Sequence, residues 1–397
     1  MRQPGVSSVN TRSWILSSID RELHVETFSI DDDDVKGTPK GWSVRKRTLR
    51  GGRREGVDVI EIDNGAIEVT LIPSRGMGVW QAIAEKDRLG WQAPIRGPVH
   101  PRDVDLGEPS GLGWLDGFDE LLVRCGLESN GAPEFDDDGR LRYPLHGRIA
   151  NQPADEVTVT VDSDRGEIRV SGIVDEVRFH FLKVRLHATW VTRFGESGFR
   201  IEDEVENLSA SPAEVQMLYH VNIGVPLLDA GAQLVAPAHT VVPRNDHAAT
   251  TVDSYDSYRG EEAGYEEQVY FYKMNAAGDG QTRVLLKNAH GTQGVSLVYD
   301  ARRLPCFSQW KNTTAAVDGY VTGIEPATNF PNPRSFEGDQ GRVIVLEGSG
   351  RTSLGLGVEW HRDAKAVASG EARVLKLQAG RTPKVFKKPQ SGWCADA

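Results

Sequence analysis

Three segments combine proton-transferring side chains with features that would hold them still. The run Glu214–Pro226 alternates with period two: Val215, Met217, Tyr219, Val221 and Ile223 share one face, and Gln216, Leu218, His220 and Asn222 share the other. An apolar face packed on a core would leave His220 and Asn222 on one polar face, about 7 Å apart along a rigid strand. In Gly323-Ile324-Glu325-Pro326, the proline biases Glu325 toward an extended backbone and would hold its carboxylate at a strand end. His146 precedes Gly147 in Tyr143–Arg148, a loop in which glycine lets the backbone approach a ligand closely. A histidine and a glutamate brought together form a general acid–base pair that works near neutral pH without a metal. Each group also has an ordinary reading: a satisfied sheet histidine, an exposed strand-end carboxylate, a turn histidine.

Two further features suit a ligand. Trp310, in Phe307-Ser308-Gln309-Trp310-Lys311-Asn312, offers an aromatic face that packs against the C–H groups of a sugar ring, unless it is a core tryptophan. Arg75, Arg124, Arg148, Lys311 and Arg334 lie in or near these segments. Two or more in one cleft would bind a carboxylate or phosphate; paired with the chain's 57 acids they would be structural. No metal site is expected, because there is no His-x-His, no His-Glu-x-x-His and no close Cys/His set. Gly-x-Ser-x-Gly and phosphate-loop patterns are also absent. Asp31–Asp34 and Asp136–Asp138 lack the spacing of a calcium loop and read as solvated turns.

Positioning these groups falls to β structure. Val57 to Ile62 alternates, turns at Asp63-Asn64-Gly65, and resumes with Ile67, Val69 and Leu71, which predicts a hairpin. Val157–Val161 and Ile168–Val174 predict a second. Leu182, Val184, Leu186, Ala188 and Trp190 share a face, as do Phe199, Ile201, Asp203, Val205 and Asn207. Arg342–Leu346 and Ser353–Trp360 are also strand-like. Helical periodicity is scarce, and 42 glycines among 397 residues suit frequent turns better than long helices. No repeat or linker divides the chain. The expectation is one large, mainly antiparallel all-β domain over residues 55–365, with an N-terminal extension (1–54) and a C-terminal extension (366–397). Val374, Leu375 and Leu377 would add an edge strand.

Composition excludes several partners. The balance of 46 basic and 57 acidic residues gives a net charge of −11 with no basic stripe, which argues against nucleic acid. No apolar run is long enough to cross a membrane, and Met1–Leu16 lacks the apolar core of a secretory signal. Cys125, Cys306 and Cys394 are few, odd in number and far apart, so a reducing compartment, the cytoplasm, is expected.

On this β background the three segments, in this order, resemble the aldose 1-epimerase (galactose mutarotase-like) superfamily, in a divergent branch of largely unassigned function. The resemblance covers about residues 55–365 and rests on Arg75-Gly76-Met77, Leu145-His146-Gly147, Tyr219-His220-Val221-Asn222 with Gly224, and Gly323-Ile324-Glu325-Pro326. It implies a two-sheet β-supersandwich with a concave sugar cleft and no cofactor. It implies Glu325 as the base on the anomeric hydroxyl, His220 as the acid on the ring oxygen, and His146 as a second histidine on that oxygen. Asn222, Arg75, Arg148, Trp310 and Lys311 are the further substrate-binding candidates. The family's substrate-binding aspartate is matched only by Asp246, in Arg244-Asn245-Asp246-His247.

The resemblance implies interconversion of sugar anomers: one group takes a proton while another gives one, and the ring opens and closes. The arginines extend the expected partner from a monosaccharide to a small acidic sugar. A sugar-binding protein without catalysis and another sugar isomerase or lyase are the alternatives. The joint presence of Glu325 and His220 favours catalysis, since binding alone does not need both.

Overall fold

Period-two alternation becomes two antiparallel sheets that share one core. The computed structural model describes residues 10–395. Among these, the two large sheets have ten and fourteen strands, and Glu134–Phe135 pairs with Leu141–Tyr143 in a separate two-stranded ribbon. The central cluster of buried aliphatic and aromatic side chains draws on both sheets, so the expected two-sheet all-β architecture is the one observed.

The first predicted hairpin pairs Asp58–Asp63 with Glu68–Ile72, with Ile60 opposite Leu71 and Ile62 opposite Val69. Its turn residue Asn64 is buried and ties the sheets together. Oδ1 accepts the amides of Ala66 and Ile67, while Nδ2 donates to Thr192 Oγ1 and to the carbonyls of Arg193 and Glu196. The second hairpin pairs Glu156–Asp162 with Glu167–Val177. Gly198–Asn207 buries its predicted face, including Asp203 and Asn207. Both buried polar groups are satisfied: Asn207 Nδ2 donates to three carbonyls, and Asp203 meets Arg124.

The ends of the chain differ from expectation. Residues before 55 are woven into both sheets: Thr11–Ser18 pairs with Glu156–Asp162, and Ser43–Thr48 pairs with Asp58–Asp63. Leu16, Trp42 and Val44 join the central core. Their strands are short and carry Arg45 and Arg47 outward, so the apolar signal is thin. After residue 363 the chain forms a 15-residue helix, Ala364–Gln378, rather than an edge strand. Asp363 caps it by accepting the Ala366 amide, and Val367 and Val374, seven residues apart, bury one stripe against Leu285. The edge strand is instead Lys384–Val385, parallel to Ala238–Pro243. Residue 54 thus marks no break in either sheet, whereas the last long strand ends at His361, just before the helix.

Candidate active site

The strand Ala213–Gly224 lies inside the fourteen-stranded sheet, between Val321–Ala327 and Leu122–Leu127. Its Val215, Met217, Tyr219, Val221 and Ile223 face enters the shared core, as the alternation requires. His220 and Asn222 therefore turn to the opposite face, under a second apolar layer that includes Trp91, Trp114 and Phe118. On the core side, Tyr219 Oη donates to Asp203 at 2.9 Å, and Arg124 gives Asp203 two hydrogen bonds of 2.6 and 2.9 Å. Arg124, Asp203 and Tyr219 are all buried. This clip fastens the site strand to the ten-stranded sheet.

Strand register builds the acid–base pair. Val221 stands opposite Ile324 and Asn222 opposite Gly323, which carries His220 to Glu325 on the neighbouring strand. His220 Nε2 lies 3.2 Å from Glu325 Oε1. The approach is not aligned as a hydrogen bond, so Oε1 is buried without a hydrogen-bond partner. Gly323 permits this closeness: a Cβ there would fall 2.4 Å from Glu325 Oε1 and 2.8 Å from His220 Cε1. Glu325 does not end its strand, which continues through Pro326 to Ala327. The carboxylate is held by pairing on both sides, with Ser308 as its cross-strand partner.

The protonation of the pair follows from its contacts. Asn222 Nδ2 donates to the carbonyls of Glu120 and His220, so Asn222 Oδ1 faces the imidazole and accepts Nδ1–H at 2.6 Å. Burial, reinforced by nearby His146, pushes His220 well below the ordinary histidine value. The neutral ring therefore turns a lone pair on Nε2 toward Glu325. Burial, with the Glu267 carboxylate nearby, raises Glu325 to about 8. Burial thus favours the protonated carboxyl on Glu325 and the neutral imidazole on His220.

His146 sits at φ 57°, a left-handed conformation. Gly147 beside it has no room for a side chain, since a Cβ would lie 2.0 Å from the Ser129 carbonyl oxygen. His146 Nδ1 lies 2.9 Å from the Asn130 carbonyl, which can only accept, so Nδ1 carries the hydrogen and Nε2 is the acceptor. Burial lowers His146 to about 4. A neutral ring in this tautomer accepts from a hydroxyl and has no proton for a ring oxygen.

The cavity above these groups encloses about 360 Å³, within the range of small-ligand sites. Trp114, Phe118 and Trp310 surround the His220 ring at centroid distances of 6.2, 5.2 and 5.6 Å, and the His146 ring lies 5.3 Å away. Glu267 accepts Trp310 Nε1 at 2.6 Å through one oxygen and Arg244 at 3.1 Å through the other. These contacts orient the indole and leave Arg244 paired with a carboxylate.

The structure thus brings His220, Glu325, His146 and Trp310 to one cavity, with Asn222 supporting from behind. The remaining candidates lie elsewhere. Arg75 is buried outside the cavity, bonded to Glu120 at 2.7 Å and Asn151 at 2.8 Å. Lys311 points away from the site, its amine donating to the carbonyls of Ser254, Tyr255 and Ser257. Arg148 precedes the turn Ile149–Asn151 and does not reach the cavity. Asp246 is exposed at the start of the short helix Asp246–Ala249. Arg124 is spent on Asp203 and Arg334 on Glu214. Proximity in sequence does not make these cations converge, because Arg75, Arg124, Lys311 and Arg334 meet acceptors outside the cavity. Sequence reasoning missed Trp114, Phe118, Arg244 and Glu267. The pair Trp114 and Phe118, directly after Gly113 and Gly117 in a turn-rich stretch, was the available signal for an aromatic wall. Among the described residues, no group of three His, Cys, Asp or Glu is placed to hold a metal ion. No helix among them is long and apolar enough to cross a membrane.

Comparison with known proteins agrees with this architecture. Residues 54–359 match the model of a family described as a domain of unknown function, DUF4432. No curated protein matches the chain. A crystal structure from Klebsiella pneumoniae, of a protein provisionally named an aldose 1-epimerase, is 32% identical with a TM-score of 0.92, over 96% of this chain and 99% of that one. A galactose mutarotase-like protein from Clostridium acetobutylicum (13% identity, TM-score 0.56, 80% and 98% of the two chains) shares the fold. So does a galactose 1-epimerase from Lactobacillus acidophilus (13%, 0.52, 81% and 99%). The chain belongs to the DUF4432 family, and its fold is that of the galactose mutarotase-like proteins.

Proposed function

We propose that the protein is a cofactor-independent mutarotase acting on a neutral aldose. The observation that carries this reading is the His220–Glu325 pair, 3.2 Å apart at the base of an aromatic cavity, with one carboxylate oxygen buried and unpartnered. The anomeric hydroxyl and the ring oxygen sit on the same carbon, so two adjacent protein groups can serve both.

A sugar hydroxyl donated to Glu325 supplies the missing hydrogen bond and favours the carboxylate. The carboxyl proton then moves to His220 Nε2, whose opposite nitrogen is anchored on Asn222. Glu325 takes the anomeric proton as the C1–O bond to the ring oxygen breaks, and His220 protonates that oxygen. The open aldehyde rotates about C1–C2, and the reverse transfers close the ring on the other face. His146 accepts a substrate hydroxyl through Nε2, and Trp310 packs on the ring.

A neutral sugar fits the charge balance. Among the described residues, Arg244 is the one arginine or lysine lining the cavity, and Glu267 pairs with it at 3.1 Å. The test is anomer exchange followed by NMR across neutral hexoses and uronates. Exchange faster than in buffer, preferring neutral sugars and lost by about 10²–10⁴-fold in Glu325→Gln and His220→Asn, is expected. Full activity in both variants would remove the assignment. Binding without exchange would mark a sugar-binding protein.

A further inference from the structure

A second, larger cavity of about 720 Å³ lies across the Phe118–Glu120 segment: Phe118 lines the first cavity and Asp119 the second. Arg53, Arg54, Arg88 and Arg96 all line it, together with Trp80 and Trp91. Four guanidinium groups around one carboxyl reverse, locally, the chain's net charge of −11.

Among the described residues, Arg88 and Arg96 are not spent on hydrogen bonds or ion pairs, whereas Arg54 also lies over the Trp80 ring at 5.9 Å. Arg96 is exposed and makes no hydrogen bond or ion pair among the described residues. Arg88 Nε is buried with no hydrogen-bond partner. Arg53 and Arg54 donate to the carbonyls of Asp103 and Gly97, which orient them without cancelling their charge. The one acid near Arg53 is Asp116, 3.7 Å away and mostly exposed, where pairing is weak. Asp119 is buried; one oxygen accepts Trp80 Nε1 at 3.0 Å and the other has no partner. Burial beside Glu120 pushes Asp119 above the usual carboxylate range, against the opposing pull of Arg75, the Trp80 hydrogen bond and Arg88, which weakens it as a competing anion.

The geometry points to a second binding site for a phosphate-type anion, either free phosphate or the phosphoryl group of a small organic phosphate, held by Arg88 and Arg96 with Arg53 and Arg54 completing the charge. Guanidinium forks match tetrahedral oxyanions through paired hydrogen bonds. Trp80 and Trp91 give a flat apolar wall for an organic portion. The site is separate from the acid–base pair and needs no change in its proposed chemistry.

The test is calorimetric titration of the intact protein with inorganic phosphate and with glucose 6-phosphate at fixed ionic strength. Saturable binding is expected, weakened about tenfold or more in the double variant Arg88→Gln/Arg96→Gln and unchanged in Glu325→Gln. Similar affinity for both probes identifies the phosphate group itself as the ligand; much tighter glucose 6-phosphate identifies an organic phosphate. Arg96→Gln alone, at an exposed position, should weaken binding without altering thermal melting, which separates lost binding from lost folding. The proposal is overturned by no saturable binding of either probe at millimolar concentration, by binding indifferent to the arginine changes, or by binding that Glu325→Gln abolishes.

Discussion

His220 Nδ1 meets Asn222 Oδ1 at 2.6 Å, two residues along the same strand, and this bond leaves Nε2 as the nitrogen that faces Glu325. Asn222 is itself fixed by the Glu120 carbonyl at 3.0 Å, so the tautomer of the histidine is set by backbone geometry. A strand that presents every second side chain on one face delivers the pair without a loop.

The first prediction concerns pH. The reaction needs one proton on the pair. Glu325, raised by burial to about 8, loses that proton above about pH 8, so kcat/KM should fall there. His220, held well below its ordinary value, should leave kcat/KM level as pH drops through 6.5. Steady-state anomerisation rates from pH 5 to 10 check both limbs.

Asn222→Asp places a carboxylate on His220 Nδ1–H and favours the imidazolium. The acid limb of kcat/KM should move to higher pH. Asn222→Ala, which leaves Nδ1–H without its acceptor, should lower kcat roughly tenfold or more with the acid limb unmoved upward. pH–rate profiles of the two variants distinguish charge from positioning.

Glu325 should trade stability for activity. The ordinary glutamate value is 4.5 and the folded value about 8, so between these the unfolded chain releases a proton that the native state keeps. Stability from this group is full below 4.5 and is lost as pH rises toward 8. Glu325→Gln cannot ionise. It should melt higher than the parent at pH 8, show little difference at pH 5, and be inactive at both, as read by thermal denaturation beside the exchange assay.

The inter-sheet clip is a stability element. Asp203→Ala leaves Arg124 charged and buried and removes the acceptor of Tyr219 Oη. A loss of about 3–5 kcal/mol is expected in denaturant titration. Asp203→Leu paired with Arg124→Met should lose much less, because no charge remains buried.

The sequence by itself determined the β class, the strand that carries His220 and Asn222, and His220 and Glu325 as candidates for proton transfer. Period-two alternation is a local property: once Val215 to Ile223 face a core, His220 must face the other way. Gly323 and Gly147 were visible as glycines, but the side chains they make room for lie across strands and loops. The chain ends were not legible, since short strands with charged outer faces and a helix with a narrow apolar stripe carry little periodic signal. Only the tertiary structure decided where the cations go. Arg75, Arg124, Lys311 and Arg334 sit close to the site in sequence, yet acids and carbonyls outside the cavity claim them. Arg53, Arg54, Arg88 and Arg96 converge elsewhere because the strands and turns that bear them meet at one cavity. A charge's partner depends on which acceptors folding brings within a few ångströms, and spacing along the chain does not encode that distance.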